Sequence, residues 1–126
     1  NNLFTPPKGK VESPGMKYRH YAPKTPCLLI YSENNNDLIR EIKKHLTNKT
    51  SIIGCNENKD KFNNKYYSYG NKTDLNSISH NIFSLLREVD KDNADLIIIE
   101  GVKKEGLGYA IMNRLIRTCE FNYIEK

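Results

Sequence analysis

The chain has 126 residues, a formal charge of +5 and a pI near 9.1, a length that suits one domain of about 100 to 150 residues plus an arm and excludes two full cores. The charge is uneven: residues 1–26 hold Lys8, Lys10, Lys17, Arg19 and Lys24 against Glu12, a net +4, and the remainder has fifteen basic and fourteen acidic groups, a net +1. A nearly neutral globular part excludes a duplex-binding face, which needs clustered Lys and Arg contacts to phosphates.

The chain opens with an arm. All five prolines, Pro6, Pro7, Pro14, Pro23 and Pro26, precede the first apolar run. Proline fixes its own φ and pushes the preceding residue out of the helical region, so Ser13, Ala22 and Thr25 are expected to be extended. Residues 1–26 therefore read as an extended strap and residues 27–126 as an α/β domain.

Within that domain CLLIY (27–31) and DLIIIE (95–100) are continuous apolar runs, and SIIG (51–54) is a shorter one. Such runs mark strands covered on both faces of a mostly parallel sheet. KYYSYG (65–70) is a weaker strand signal, resting on tyrosines and ended by Gly70. Between the strands, residues 37–46 place Leu38, Ile42 and Leu46 on one helical face, with Asn35 or Asn36 as N-cap. Residues 73–91 repeat the pattern with Leu75, Ile78, Ile82, Leu85, Leu86 and Val89, capped by Thr73 or Asp74. A third helix over 107–119 carries Leu107, Ile111 and Leu115. Alternating strands and helices predict a three-layer, Rossmann-like α/β domain with a small, mostly parallel sheet. Strand order stays open, including whether 65–69 and 121–125 join the sheet edges.

Cys27, Cys55 and Cys119 are odd in number and form no C-x-x-C, so neither a disulfide framework nor a zinc site is indicated, and a reducing cytoplasm fits. His20, His45 and His80 lack metal-ligand spacing. The longest apolar runs fall far short of the roughly 20 residues that span a bilayer, and no signal-peptide pattern opens the chain.

Two stretches could carry chemistry. In IIIEGVKKEGLGYAIMNRLIR (97–117) a strand, a loop with three glycines and a helix follow one another, so Gly106, Leu107 and Gly108 could form an anion-binding helix start. Leu107-Gly108 stands where a P-loop needs Lys and Ser/Thr, and Ile111 stands where a dinucleotide fingerprint needs a small residue. The alternative is a glycine-assisted turn that packs the helix on the sheet. Glu100, Glu105, Asp74, Asp90, Asp92 and Asp95 are scattered and read as caps, loops or solvated faces, with no catalytic set among them. In SPGMKYRHYAPKTP (13–26), an extended backbone would turn Lys17, Arg19 and Tyr21 to one side and Tyr18 and His20 to the other. The cationic side suits a polyphosphate or bicarbonate. The other reading is a solvated linker whose tyrosines lie on a neighbouring domain.

The same stretch resembles the linker of the two-domain threonylcarbamoyl-AMP synthases, in which a YrdC-like catalytic domain is followed by a strap and a smaller α/β domain. YGNKTDLNSISHNIFSLLREVDK (69–91) is similar to that family's G-x-x-x-D-L…LF-x-x-LR-x-x-D segment, and EGLGYAIMNRLIR (105–117) to its EGLG-x-AIMNRL signature. The resemblance implies conversion of ATP, bicarbonate and L-threonine to threonylcarbamoyl-AMP and pyrophosphate, toward threonylcarbamoyladenosine in tRNA. It also implies that the catalytic residues, and any Mg2+ that accompanies ATP, belong to a catalytic domain preceding Asn1. This chain alone is then expected to be inactive and to hold no cofactor. Its partners would be its own catalytic domain, the substrates through that domain, and the downstream machinery of tRNA threonylcarbamoyl transfer; neither membrane nor direct tRNA binding is expected. Lys17, Tyr18, Arg19, His20 and Tyr21 become candidates for a lid over the nucleotide and threonine. Two other functions compete: a free-standing nucleotide or metabolite sensor using the 101–108 loop, and a partner- or tRNA-docking module.

Overall fold

The computed structural model describes residues 22–126. In chain order the elements are β1 (Cys27–Tyr31), α1 (Asn35–Lys43), β2 (Thr50–Gly54), a 3-10 segment (Asn56–Lys61), β3 (Lys65–Ser68), α2 (Leu75–Val89), a 3-10 turn (Asp90–Asp92), β4 (Leu96–Glu100), α3 (Leu107–Thr118) and β5 (Tyr123–Glu125). The five strands form one sheet in the order β3-β2-β4-β1-β5, and every pairing is parallel.

The order follows from the layers. β1 to β2 and β2 to β3 step toward one edge, whereas β3 to β4 and β4 to β5 step toward the other. Helix α1 packs Leu38 and Ile42 on the face that carries Ile30, Ile52 and Ile98. Helices α2 and α3 pack Ile78, Ile82, Leu86, Ile111, Met112 and Leu115 on the opposite face, against Leu29, Ile53, Ile97 and Ile99. Steps in opposite directions with helices on opposite faces are what right-handed crossovers require. The central strands are thus covered twice, which explains their unbroken apolar sequences, and each Ile or Leu so buried contributes about 1.5 to 3 kcal/mol.

Details differ from the sequence expectations for local reasons. Helix α1 is capped by Asn34, whose side chain accepts the Asp37 N–H at 2.9 Å, and so starts earlier than expected. Helix α2 is capped by Asp74, which accepts the Ser77 N–H. Leu107, expected on the core stripe of α3, is 39% exposed because the first residue of the helix faces out; Gly108 is buried instead. Both 65–68 and 123–125 join the sheet, as its two edge strands. Before β5 the chain reverses through Glu120 and Phe121, whose φ values are 55° and 65°.

Candidate functional site

Parallel strands deliver their loops to one edge, and ligands in such sheets settle where neighbouring connections leave to opposite faces. Here that place lies between β1, which leads to α1, and β4, which leads to α3. Glu100 ends β4 at this edge and is 1% exposed. Its Oε1 accepts the Cys55 N–H and the Asn58 side-chain amide, both at 3.2 Å. Asn58 and Asn35 exchange two amide bonds at 2.9 and 3.0 Å, and Lys72 Nζ reaches Asn35 Oδ1 at 3.2 Å. The other carboxylate oxygen, Oε2, has no hydrogen-bond partner among the described residues. Tyr69 donates its hydroxyl to the Glu100 carbonyl at 3.0 Å, and Tyr66 to the Cys55 carbonyl at 2.7 Å. Gly54 makes room for this cluster, since a Cβ there would lie 2.3 Å from Tyr66 Oη and 2.7 Å from Glu100 Oε1.

Burial drives the electrostatics. It raises the Glu100 carboxyl above the ordinary range, against the opposing bonds from the Cys55 N–H and Asn58. Burial, reinforced by the Glu100 charge, pushes the Cys55 thiol up to about 12. Tyr66 and Tyr69 shift upward for the same two reasons. A thiol held protonated is no nucleophile near neutral pH, so the cluster has the chemistry of a buried polar support. Glu100 is accordingly not the capped or solvated acid that its sequence position suggested. The signal that could have exposed it is its place at the end of a run of four buried or half-buried apolar residues.

On the 101–108 loop the glycines have geometric duties. Gly106 caps α3 with φ 56° and ψ −129°, a conformation open to glycine. Gly108 lies so close to the loop that a Cβ would fall 2.0 Å from the Lys103 carbonyl oxygen. Of the first amides of α3, Gly108 N–H donates to Glu105 O at 2.9 Å and Tyr109 N–H to Gly106 O at 3.0 Å. Lys103 pairs with Glu105 at 3.6 Å, and Lys104 with Glu125 at 2.6 Å. A groove of about 330 Å³ beside α1 is likewise lined by mutually paired charges, with Arg40 on Asp37 and Lys44 and Lys126 on Glu41.

At the opposite edge the strap enters the domain. Lys17, Tyr18, Arg19, His20 and Tyr21 lie outside the described residues. The strap's last residues do not: Lys24 N–H donates to Asp90 Oδ2 at 3.0 Å and Thr25 N–H to Asp90 Oδ1 at 2.9 Å. Asp90 stands at the C-cap of α2, as a cap reading allows, but it is buried rather than solvated.

The profile of the threonylcarbamoyl-AMP synthase C-terminal domain matches residues 3–119, which take in the strap stretch and all but the last strand of the domain. The chain belongs to this family. Threonylcarbamoyl-AMP synthases of Pyrococcus abyssi and Schizosaccharomyces pombe are 31% and 34% identical to it over 121 and 115 residues, covering 91% and 82% of this chain. The chain spans about a third of those curated relatives, 34% and 28% of their lengths. The structure of P. abyssi Sua5 complexed with L-threonine superposes with a TM-score of 0.70 at 28% identity, over 98% of this chain and 36% of that one. A C-terminal Sua5 domain from Pyrococcus horikoshii shares the fold at a TM-score of 0.58 and 24% identity, covering 83% of this chain and 100% of that one. The C-terminal synthase domain thus has a three-layer α/β architecture with an all-parallel sheet.

Proposed function

We propose that this chain is the strap and accessory domain of a threonylcarbamoyl-AMP synthase and that the strap closes over a catalytic pocket carried elsewhere in the longer protein. The reaction would join ATP, bicarbonate and L-threonine into threonylcarbamoyl-AMP, releasing pyrophosphate, in the cytoplasmic synthesis of threonylcarbamoyladenosine in tRNA. The observation that carries this is the family match over residues 3–119 in relatives of which this chain is only about a third. The L-threonine complex of the P. abyssi relative supports threonine as a substrate.

In this reading Lys17 and Arg19 offset phosphate or carboxylate charge, and Tyr18 or Tyr21 supplies a hydroxyl donor at the pocket mouth, with His20 alongside. Gly15 allows the turn into the pocket, and the flanking prolines reduce the entropy lost on closing. A closed strap would keep water from the labile carbamoyl-adenylate. Any Mg2+ that accompanies ATP would belong to the catalytic domain. The test is threonine- and bicarbonate-dependent pyrophosphate release by the longer protein and by residues 1–126 alone. Activity is expected of the first and not of the second; a longer protein with no such activity would overturn the assignment.

A further inference from the structure

The LR-x-x-D segment ends in Asp90, an acid that the proposed reaction leaves without a task. Pro23 and Pro26 have no N–H, so the only backbone donors between Pro23 and Pro26 are Lys24 and Thr25. Asp90 takes both, one on each carboxylate oxygen, at 3.0 and 2.9 Å. The chain bends at these two residues as their amides turn toward the carboxylate. Asp90 is 6% exposed and Thr25 7%, so the Thr25 bond is shielded from competing water, and the Lys24 bond is partly buried. Immediately after them the Pro26 carbonyl accepts the Ile97 N–H at 2.9 Å, which locks the strap's end to central strand β4. Asp90 is itself fixed as the C-cap of α2, its own N–H bonded to the Leu86 and Glu88 carbonyls.

We propose that Asp90 is a positioning residue for the synthase reaction: it clamps the root of the strap, Lys24 and Thr25, onto the domain. Hydrogen bonds to an ionised carboxylate are shorter and stronger than neutral ones, so the two amide bonds hold Lys24 and Thr25 firmly. This rests on the reading of residues 17–21 as a lid.

The experiment uses the full-length enzyme in four forms: wild type, Asp90→Asn, a Lys17→Ala, Arg19→Ala, Tyr21→Ala strap variant, and the combination. Amide exchange of the peptide covering residues 22–27, the melting temperature, and kcat and KM for threonine are measured on each. Asn keeps the shape of Asp but presents an NH2 to one of the two donors. The expected result is at least about tenfold faster exchange at Lys24 and Thr25 and a loss of kcat/KM that adds nothing once the strap is already mutated. Such non-additivity is the mark of one residue acting through another. Unchanged exchange in Asp90→Asn would overturn the clamp. So would full additivity of the two losses, which a merely structural Asp90 would give. If the strap variant alone keeps wild-type kinetics, the lid reading fails, and exchange alone then decides whether the clamp exists.

Discussion

Among single residues, Glu100 makes the sharpest case, because its carboxyl is raised by burial while one oxygen stays unpartnered. A group that binds its proton more tightly when folded contributes stability that is full below its unfolded pKa and is lost as pH rises through its folded one. Glu41, Glu57, Asp74 and Glu125 are shifted downward and act in the opposite sense at acid pH, so the clean measurement is a difference. The melting temperature of Glu100→Gln minus that of wild type should be flat below the ordinary carboxylate range and should climb as pH rises above it. A difference independent of pH from 4 to 8 would contradict a raised Glu100. Gly108 gives a second residue-scale prediction. Its Cβ would overlap the Lys103 carbonyl oxygen, so Gly108→Ala should cost about 1 to 3 kcal/mol, read as a drop of several degrees in thermal melting. An unchanged melt would mean that the loop moves aside freely.

At the scale of elements, caps and edges decide how the local sequence is used. Asn34 holds the start of α1 through the Asp37 N–H, so Asn34→Ala should lower stability by about 1 kcal/mol, measured by urea titration at constant m-value. A variant as stable as wild type would show that the first turn finds another partner. The apolar periodicity of all three helices and the runs of the three central strands were legible because each buries a repeating face. The edges were not. β3 has one exposed and three half-buried residues and no fully buried one, and β5 is three residues behind a left-handed turn at Glu120 and Phe121 that no glycine announces. Asn34 was overlooked because three consecutive asparagines offered equivalent caps.

At the scale of the whole molecule, the two ends of the sheet divide the work. The C-terminal edge holds a buried hydrogen-bond network on Glu100 Oε1, and the N-terminal edge holds the strap's root on Asp90. Central strands of five residues put about 16 Å between the two edges. Glu100 and Asp90 were hidden in the sequence, since an isolated Asp or Glu at an element's end reads as a cap unless its distant partner is known. Cys55 and Asn58 lie 45 and 42 residues from Glu100, and Thr25 lies 65 from Asp90. The strap reading rests on prolines and clustered cations in the sequence, with its role implied by family resemblance. The most direct test of that role is threonine- and bicarbonate-dependent pyrophosphate release by the full-length enzyme with Lys17→Ala, Arg19→Ala and Tyr21→Ala together, against wild type of equal melting temperature. The proposed lid predicts a loss of tenfold or more, about 1.4 kcal/mol of transition-state stabilisation. An unchanged rate would contradict it and leave the strap as a tether.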